Sequence, residues 1–224
     1  MLQTSARETI SSAEVLLRLL EEECRARFER QVQRRIKDAR IPVHKTLDTF
    51  DFKHPKRLKR EQVLALFDLG FVPEKRNVVF LGRTGLGKTH LATALALAAC
   101  HKGHRVLFST AVNVVNQLQA AQADGSLLRR IKSYLSPDLL VLDELGYLPI
   151  DRKGADLLFQ VISGRYERGS VLLTTNRPFK EWASIFNDAT VAAAVIDRLA
   201  HHSEVVVIEG RSFRIGKDHD DLQD

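Results

Sequence analysis

Apolar positions fall into two rhythms along this chain of 224 residues. From residue 77 onward, short apolar runs recur at 78–81, 105–109, 139–143, 171–176 and 204–208. Each has the length of a strand buried on both faces. The segments between them carry apolar residues at helical spacing. They predict helices over 88–101, 112–123, 126–135, 154–167, 179–186 and 190–200, with a break at Asp124-Gly125. Strands alternating with helices predict an α/β fold built on a parallel five-stranded sheet flanked by helices.

The first quarter of the chain reads differently. Ser11 or Ser12 suits the cap of a long helix that Ile41-Pro42 ends. Leu16, Leu20, Cys24, Phe28, Val32 and Ile36 recur every fourth residue and form one stripe, a face that packs onto the main body or a neighbouring subunit. A polar linker follows over 43–60, and then a helix from Glu61 that Gly70 closes. The expected organisation is a basic helical segment over 1–45 and a main domain over 46–224. Internal repeats and low-complexity tracts are absent from the sequence.

Between the first strand and its helix lies Gly82-Arg83-Thr84-Gly85-Leu86-Gly87-Lys88-Thr89, a G-x-x-x-x-G-K-[ST] pattern. Glycines allow backbone N–H groups to turn toward phosphate oxygens where a Cβ would clash. The helix start at Lys88, Thr89 and His90 adds partial positive charge. Lys88 suits the β- and γ-phosphates, and the Thr89 hydroxyl suits Mg2+. The pattern therefore predicts a bound nucleoside triphosphate such as ATP, with residues 82–90 as its cradle.

Composition refines this. The chain carries formal charge +6 and a pI near 9.5, which points to a polyanionic partner. The excess is local: residues 25–60 hold 13 Lys and Arg against 4 Asp and Glu, so the remainder is slightly acidic. Arg34 and Arg35 on the long helix serve either a nucleic acid or a solvated face. The same two readings apply to Asn116, Arg129, Arg130 and Lys132 around the paired helices at 112–135. No apolar run is long enough to cross a bilayer, and residues 1–5 lack a leader's apolar core. Cys24 and Cys100 have neither metal nor redox spacing, so a reduced, cytoplasmic protein is the simple expectation.

Asp143-Glu144 ends a fully apolar strand some 54 residues beyond the glycine loop. At that end of an open α/β sheet, Asp143 suits Mg2+ and Glu144 suits polarising the attacking water. Asn176 ends another strand and suits a water or a γ-phosphate oxygen. Arg198 is a candidate for stabilising transition-state charge from a neighbouring subunit, with Arg165 and Arg168 as rivals. Phe50 or Phe52 suits an adenine ring or the core. His201-His202 is read as non-metal, because adjacent residues face apart and no other ligand cluster is evident.

These blocks, with Leu139–Tyr147 around Asp-Glu-Leu-Gly-Tyr, Ser163-Gly164-Arg165-Tyr166-Glu167-Arg168, Leu173–Phe179, Ile196–His202 and Gly210–Arg214, resemble one family. It is that of the IstB ATP-binding helpers of insertion-sequence transposases, related to DnaC helicase loaders and belonging to the AAA+ ATPases. The resemblance covers about residues 10–216. It implies an AAA+ P-loop fold, with the catalytic strand inserted between the glycine-loop strand and the second strand. It implies that residues 82–89 are Walker A, Asp143 and Glu144 Walker B, Asn176 sensor 1, and Arg198 a trans-acting finger. The helices at 112–135 would face DNA. ATP hydrolysis, ATP-held homo-oligomers on duplex DNA and a partner transposase are implied in turn. Against the family pattern the chain starts partway through the usual helical region, and Arg214 is the one late arginine that matches a second sensor. Two other readings stay open: a DnaC-like helicase loader, and a DNA-binding module whose nucleotide is structural.

Overall fold

The computed structural model describes residues 12–210, 212 and 213. Five strands form one parallel sheet: β1 (Asn77–Gly82), β2 (Val106–Thr110), β3 (Leu139–Leu145), β4 (Ser170–Thr175) and β5 (Ser203–Ile208), in the order β2-β3-β4-β1-β5. β3 lies between β1 and β2 as expected, with β4 interposed as well, so the acidic strand does not pair with the glycine-loop strand. The central strands are buried along their apolar runs, apart from the half-buried Leu81 at the tip of β1, which is why they read as continuous rather than alternating hydrophobic segments.

Helices cover both faces. On one side α1 (Ser12–Ala39), α2 (Arg60–Leu66) and α3 (Lys88–His101) pack on Val78, Phe80, Val141 and Leu172. On the other, α4 (Ala111–Ala123), α5 (Leu127–Leu135), α6 (Arg152–Arg165), α7 (Trp182–Phe186) and α8 (Ala189–Ala200) pack on Val79, Leu140, Leu142 and Leu173. α3 is rich in alanine and leucine and buried on most sides. That composition lets it lie close on the sheet directly behind the glycine loop.

Four details depart from the sequence expectation. α2 stops at Leu66, and the left-handed residue beyond it is Leu69 (φ 56°) rather than Gly70. Residues 179–186 form a 3-10 turn, Phe179–Glu181, leading into the short α7. A 3-10 turn also forms within the linker at Leu47–Thr49. The α1 stripe is only partly used: Val32, Ile36 and Ala39 are buried in the core, whereas Leu16 (59 %), Leu20 (56 %) and Phe28 (54 %) are exposed. The helix is about 42 Å long at 1.5 Å per residue, so only its C-terminal part reaches the sheet.

Arg165 is the least expected part of the interior. It is 1 % exposed and has no carboxylate hydrogen-bond partner among the described residues; its guanidinium donates to the carbonyls of Tyr134, Leu135, Pro137, Asp138 and Ser170. Burial pulls its pKa down to about 10, against the Asp138 charge, which raises it. The side chain thus ties the end of α5 to the starts of β3 and β4, and this removes it from the candidates for transition-state chemistry. Cys100 is buried and its thiol is pushed up to about 11 by burial, only partly countered by the Arg35 charge, so it is inert; Cys24 is exposed. Among the described residues no helix is long and apolar enough to cross a membrane.

Replacing Arg165 with Met keeps the volume but strands several buried carbonyls. The expected cost is about 3 kcal/mol, or a melting temperature lower by roughly 6–12 °C for a chain of this size. Thermal denaturation by circular dichroism reads this directly. An unchanged midpoint would show that water serves those carbonyls equally well.

Candidate nucleotide-binding site

The site lies at the C-terminal ends of β1, β3 and β4. β1 ends at Gly82, where a Cβ would stand 2.3 Å from the Ile208 carbonyl oxygen, so only glycine lets β5 pair this closely. The loop then runs to Gly87, whose φ of 83° is left-handed and which caps α3. A Cβ there would meet Phe50 Cε2 at 2.6 Å. The first turn of α3 starts directly at the loop, and the helix dipole there favours an anion. Lys88 is buried, and its Nζ donates to the Arg83 carbonyl oxygen at 2.8 Å. Thr84, Gly85 and Leu86 line the cleft, whereas the Arg83 side chain is exposed and does not.

The acidic strand supplies the second part. Asp143 is 3 % exposed; its Oδ1 accepts from Thr89 Oγ1 at 3.1 Å and from the Thr174 hydroxyl. The Thr174 oxygen in turn accepts from the Glu144 backbone N–H at 2.9 Å. Glu144 has φ 62°, and the β3–β4 register slips between Leu142 and Leu145. A non-glycine residue held left-handed costs of order 1 kcal/mol. Here it turns the Glu144 side chain into the cleft instead of along the strand. Asn176 lines the same cleft, and its Oδ1 is buried without a hydrogen-bond partner among the described residues. A buried carbonyl oxygen left unpaired at a strand tip is an acceptor aimed at a ligand or an ordered water.

The linker closes the third side. His90 Nε2 hydrogen-bonds the Thr46 carbonyl at 2.9 Å and Thr49 Oγ1 at 3.2 Å, and its ring meets Phe50 edge-on. His90 thus borders the cleft, but its polar contacts hold the linker. Phe50 is 9 % exposed and belongs to the core while also lining the cleft; Phe52 packs on it and carries the Arg60 guanidinium on its face. Pro42, Val43, Lys45 and His54 complete this wall. Phe213 reaches the glycine loop, donating its N–H to the Gly85 carbonyl at 3.0 Å. The enclosed space is 380 Å3, the size of a small-molecule site.

Four participants were missed in sequence. Thr174 shares a strand face with Asn176, and that alternation was the available signal. Tyr147 ties the loop after β3 to the phosphate loop through Thr84 Oγ1 at 3.0 Å. Thr46 and Thr49 sit in a linker with no periodicity, where nothing marked them.

The remaining predicted residues lie elsewhere. Arg198 does not line the cleft: its guanidinium stacks on Phe159 at 4.9 Å and donates to the Ala194 carbonyl. Its own carbonyl accepts from Asn77 at the start of β1, the opposite end from the glycine loop, about 17 Å along the strand. Arg168 is exposed. Arg34 pairs loosely with Asp38 at 3.8 Å, and Arg35 contacts Gln31 while its Nη1 is buried without a partner. Asn116, Arg129 and Lys132 are exposed on α4 and α5, and Arg130 is half-buried. Arg130 shares a second cleft, of 280 Å3, with Arg40 and Arg105, which joins the end of α1 to α5. The rings of His201 and His202 do not diverge as expected: α8 ends at Ala200, and their centroids lie 4.0 Å apart. Arg214 lies outside the described residues.

A glycine-loop cradle behind a parallel sheet, with an acid and an unpaired amide on neighbouring strand tips, defines an AAA+ P-loop nucleotide-binding protein. The family model for IstB-like ATP binding proteins matches residues 1–220, and the chain belongs to that family. It is 40 % identical over 215 residues to an ATP-binding protein of insertion sequence IS5376 from Geobacillus stearothermophilus, covering 96 % of this chain and 86 % of that one. It is 39 % identical over the same length to an ATP-binding protein of IS21 from Pseudomonas aeruginosa, covering 96 % and 81 %. Among solved structures it is similar to the DnaC helicase loader, with a TM-score of 0.59 and 25 % identity over 73 % of this chain and 96 % of that one. It also shares the fold of the replication initiator DnaA bound to AMPPCP and single-stranded DNA, with a TM-score of 0.64 and 22 % identity over 82 % and 56 %.

Gly87→Ala places a Cβ against Phe50 and forces a left-handed alanine. Affinity for a fluorescent ATP analogue is expected to fall at least about tenfold, equivalent to 1–2 kcal/mol of backbone strain plus the clash. The double variant with Phe50→Ala should recover only part of the loss, because the strain remains. Full recovery would assign the whole effect to the ring.

Proposed function

We propose that this protein is an ATP-hydrolysing regulator of transposition that assembles on duplex DNA, with ATP at the junctions between copies, and there engages a partner transposase. One observation carries the assembly. No arginine lines the nucleotide cleft among the described residues, and Arg198 stands at the far end of its own sheet. A cation for the transition state then comes from a second copy.

The donor set fits a hydrated Mg2+, which prefers oxygen ligands: Thr89, which lines the cleft, has its Oγ1 3.1 Å from Oδ1 of the buried Asp143 just behind it. When bound, Mg·ATP supplies the phosphoryl group and the cation that neutralises its growing charge. The chain's own residues do the rest. Lys88 gives up the Arg83 carbonyl for the phosphates. Glu144, freed from the strand direction by its left-handed backbone, orients water and takes its proton. Asn176 accepts from that water through its Oδ1, or donates its amide N–H to a γ-phosphate oxygen. Phe50 and the linker wall receive the base.

For DNA, the basic half of α1 supplies Arg34 and Arg35, and α5 supplies the exposed Arg129 and Lys132 and the half-buried Arg130, with Asn116 beside them. Phosphate contacts from such side chains fix register rather than sequence. A second reading, a helicase loader, draws on the likeness to nearly the full length of the DnaC loader. Co-purification with a replicative helicase rather than with the transposase would favour it. A cytoplasmic site of action follows from either reading.

Lys88→Ala is expected to lose ATP binding and assembly together; assembly retained without nucleotide would remove ATP from the junction. Arg198→Ala should keep ATP binding and lose hydrolysis by about 10^3-fold or more. Mixing it with Glu144→Gln should restore part of the rate, since one junction type then pairs an intact Glu144 with an intact Arg198. No recovery would place Arg198 outside the neighbour's site. Duplex DNA affinity should fall with salt at a log–log slope of about −0.9 per phosphate neutralised, and the slope should shrink by about one unit for Arg129→Ala.

A further inference from the structure

α6 and α8 end side by side at the sheet end opposite the nucleotide cleft. Immediately past them lie Tyr166, Glu167, His201 and His202. One ligand atom each from Glu167, His201 and His202 lies within 4.8 Å of the others, and all three side chains are exposed. Glu167 has φ 57°, a left-handed conformation uncommon for glutamate, and its Oε1 stands 3.8 Å from His202 Nε2. Tyr166 Oη is 2.8 Å from His201 Nδ1. The carbonyl ends of two helices converge here, and their dipoles favour a cation.

We propose that Glu167, His201 and His202 form a surface site for a transition-metal dication of the zinc class. Two imidazoles and one carboxylate are the donors that Zn2+, Co2+ and Ni2+ take, whereas Mg2+ prefers oxygen alone. Tetrahedral coordination brings such atoms to about 3.3 Å from one another, a closure that rotamer shifts of exposed side chains can supply. In the tautomer with its proton on Nδ1, His201 donates to Tyr166 Oη and keeps the Nε2 lone pair for the metal, so Tyr166 is a positioning residue. Three protein ligands leave a position for water. The bound ion joins the ends of α6 and α8 one turn beyond Arg198, and so fixes the helix that carries that arginine. A solvated His–Glu pair accounts for the same contacts without metal, and stoichiometric binding separates the two. The site is independent of the nucleotide reading.

The test titrates the metal-free full chain, without nucleotide, with Co2+ followed by visible absorption and with Zn2+ followed by calorimetry. One equivalent per chain is expected, with the absorption of a low-symmetry Co2+ centre and a higher melting temperature on Zn2+ loading. His202→Ala and Glu167→Gln should each abolish the stoichiometric site. Tyr166→Phe should weaken it about tenfold while keeping one equivalent, and His101→Ala should leave it intact. Binding that survives His202→Ala unchanged, or that never reaches one equivalent in the parent chain, overturns the proposal.

Discussion

The Asp143 carboxylate is the joint on which the cleft depends. A single buried oxygen accepts from the first turn of α3 through Thr89 and from the tip of β4 through Thr174. Thr174 passes the constraint on by accepting from the Glu144 amide. Three elements that are far apart in sequence are thus set to one another by short hydrogen bonds in a low-dielectric place, where an unmade bond is costly. The glycine loop, the acidic strand and the strand that ends in Asn176 hold a common geometry because of this joint. Their shared sheet brings them only roughly together.

A second constraint acts at the other end of the strands. Arg165 satisfies five carbonyls where α5 runs into β3 and where β4 begins. Asn77 does similar work beside it, donating to the last turn of α8 and accepting from the Val171 amide. Chain crossings at this end leave carbonyls that no strand partner reaches, and buried donors replace the missing ladder. One consequence is that α8 is anchored at the far end from the glycine loop. The polarity of the molecule follows: the candidate nucleotide cleft lies at the C-terminal ends of the strands, and Arg198 with the histidine pair at the N-terminal ends.

The two halves of α1 show a different balance. Its last two turns bury Val32, Ile36 and Ala39 against the core of α3 and β2. Its N-terminal stretch carries leucines in the same rhythm, continued by Phe28 past the midpoint, and leaves them in water. Periodicity records that a face is apolar, and it says nothing about whether the body of the protein extends far enough to cover it.

How much of this was legible from residues alone divides along the range of the interactions. Local patterns named the five strands, the long helix, the glycine loop and the acid pair, because a buried strand needs a continuous apolar run and a phosphate cradle needs glycines at fixed spacing. The family match over residues 1–220 agrees with those motifs. Long-range pairing decided the rest. Thr174 gained its role only when β4 was set beside β3, and His90 turned to the linker because Thr46 and Thr49 fold back over α3. Arg165 read as a free cation until burial surrounded it with carbonyls, and His201 and His202 read as divergent until α8 stopped one residue before them. Sequence by itself determined the main strands and helices and the glycine loop that closes the first strand, since those depend on neighbours within a few residues. Only the tertiary structure decided which polar side chains meet, because hydrogen-bond partners 30 to 120 residues apart leave no mark on local spacing.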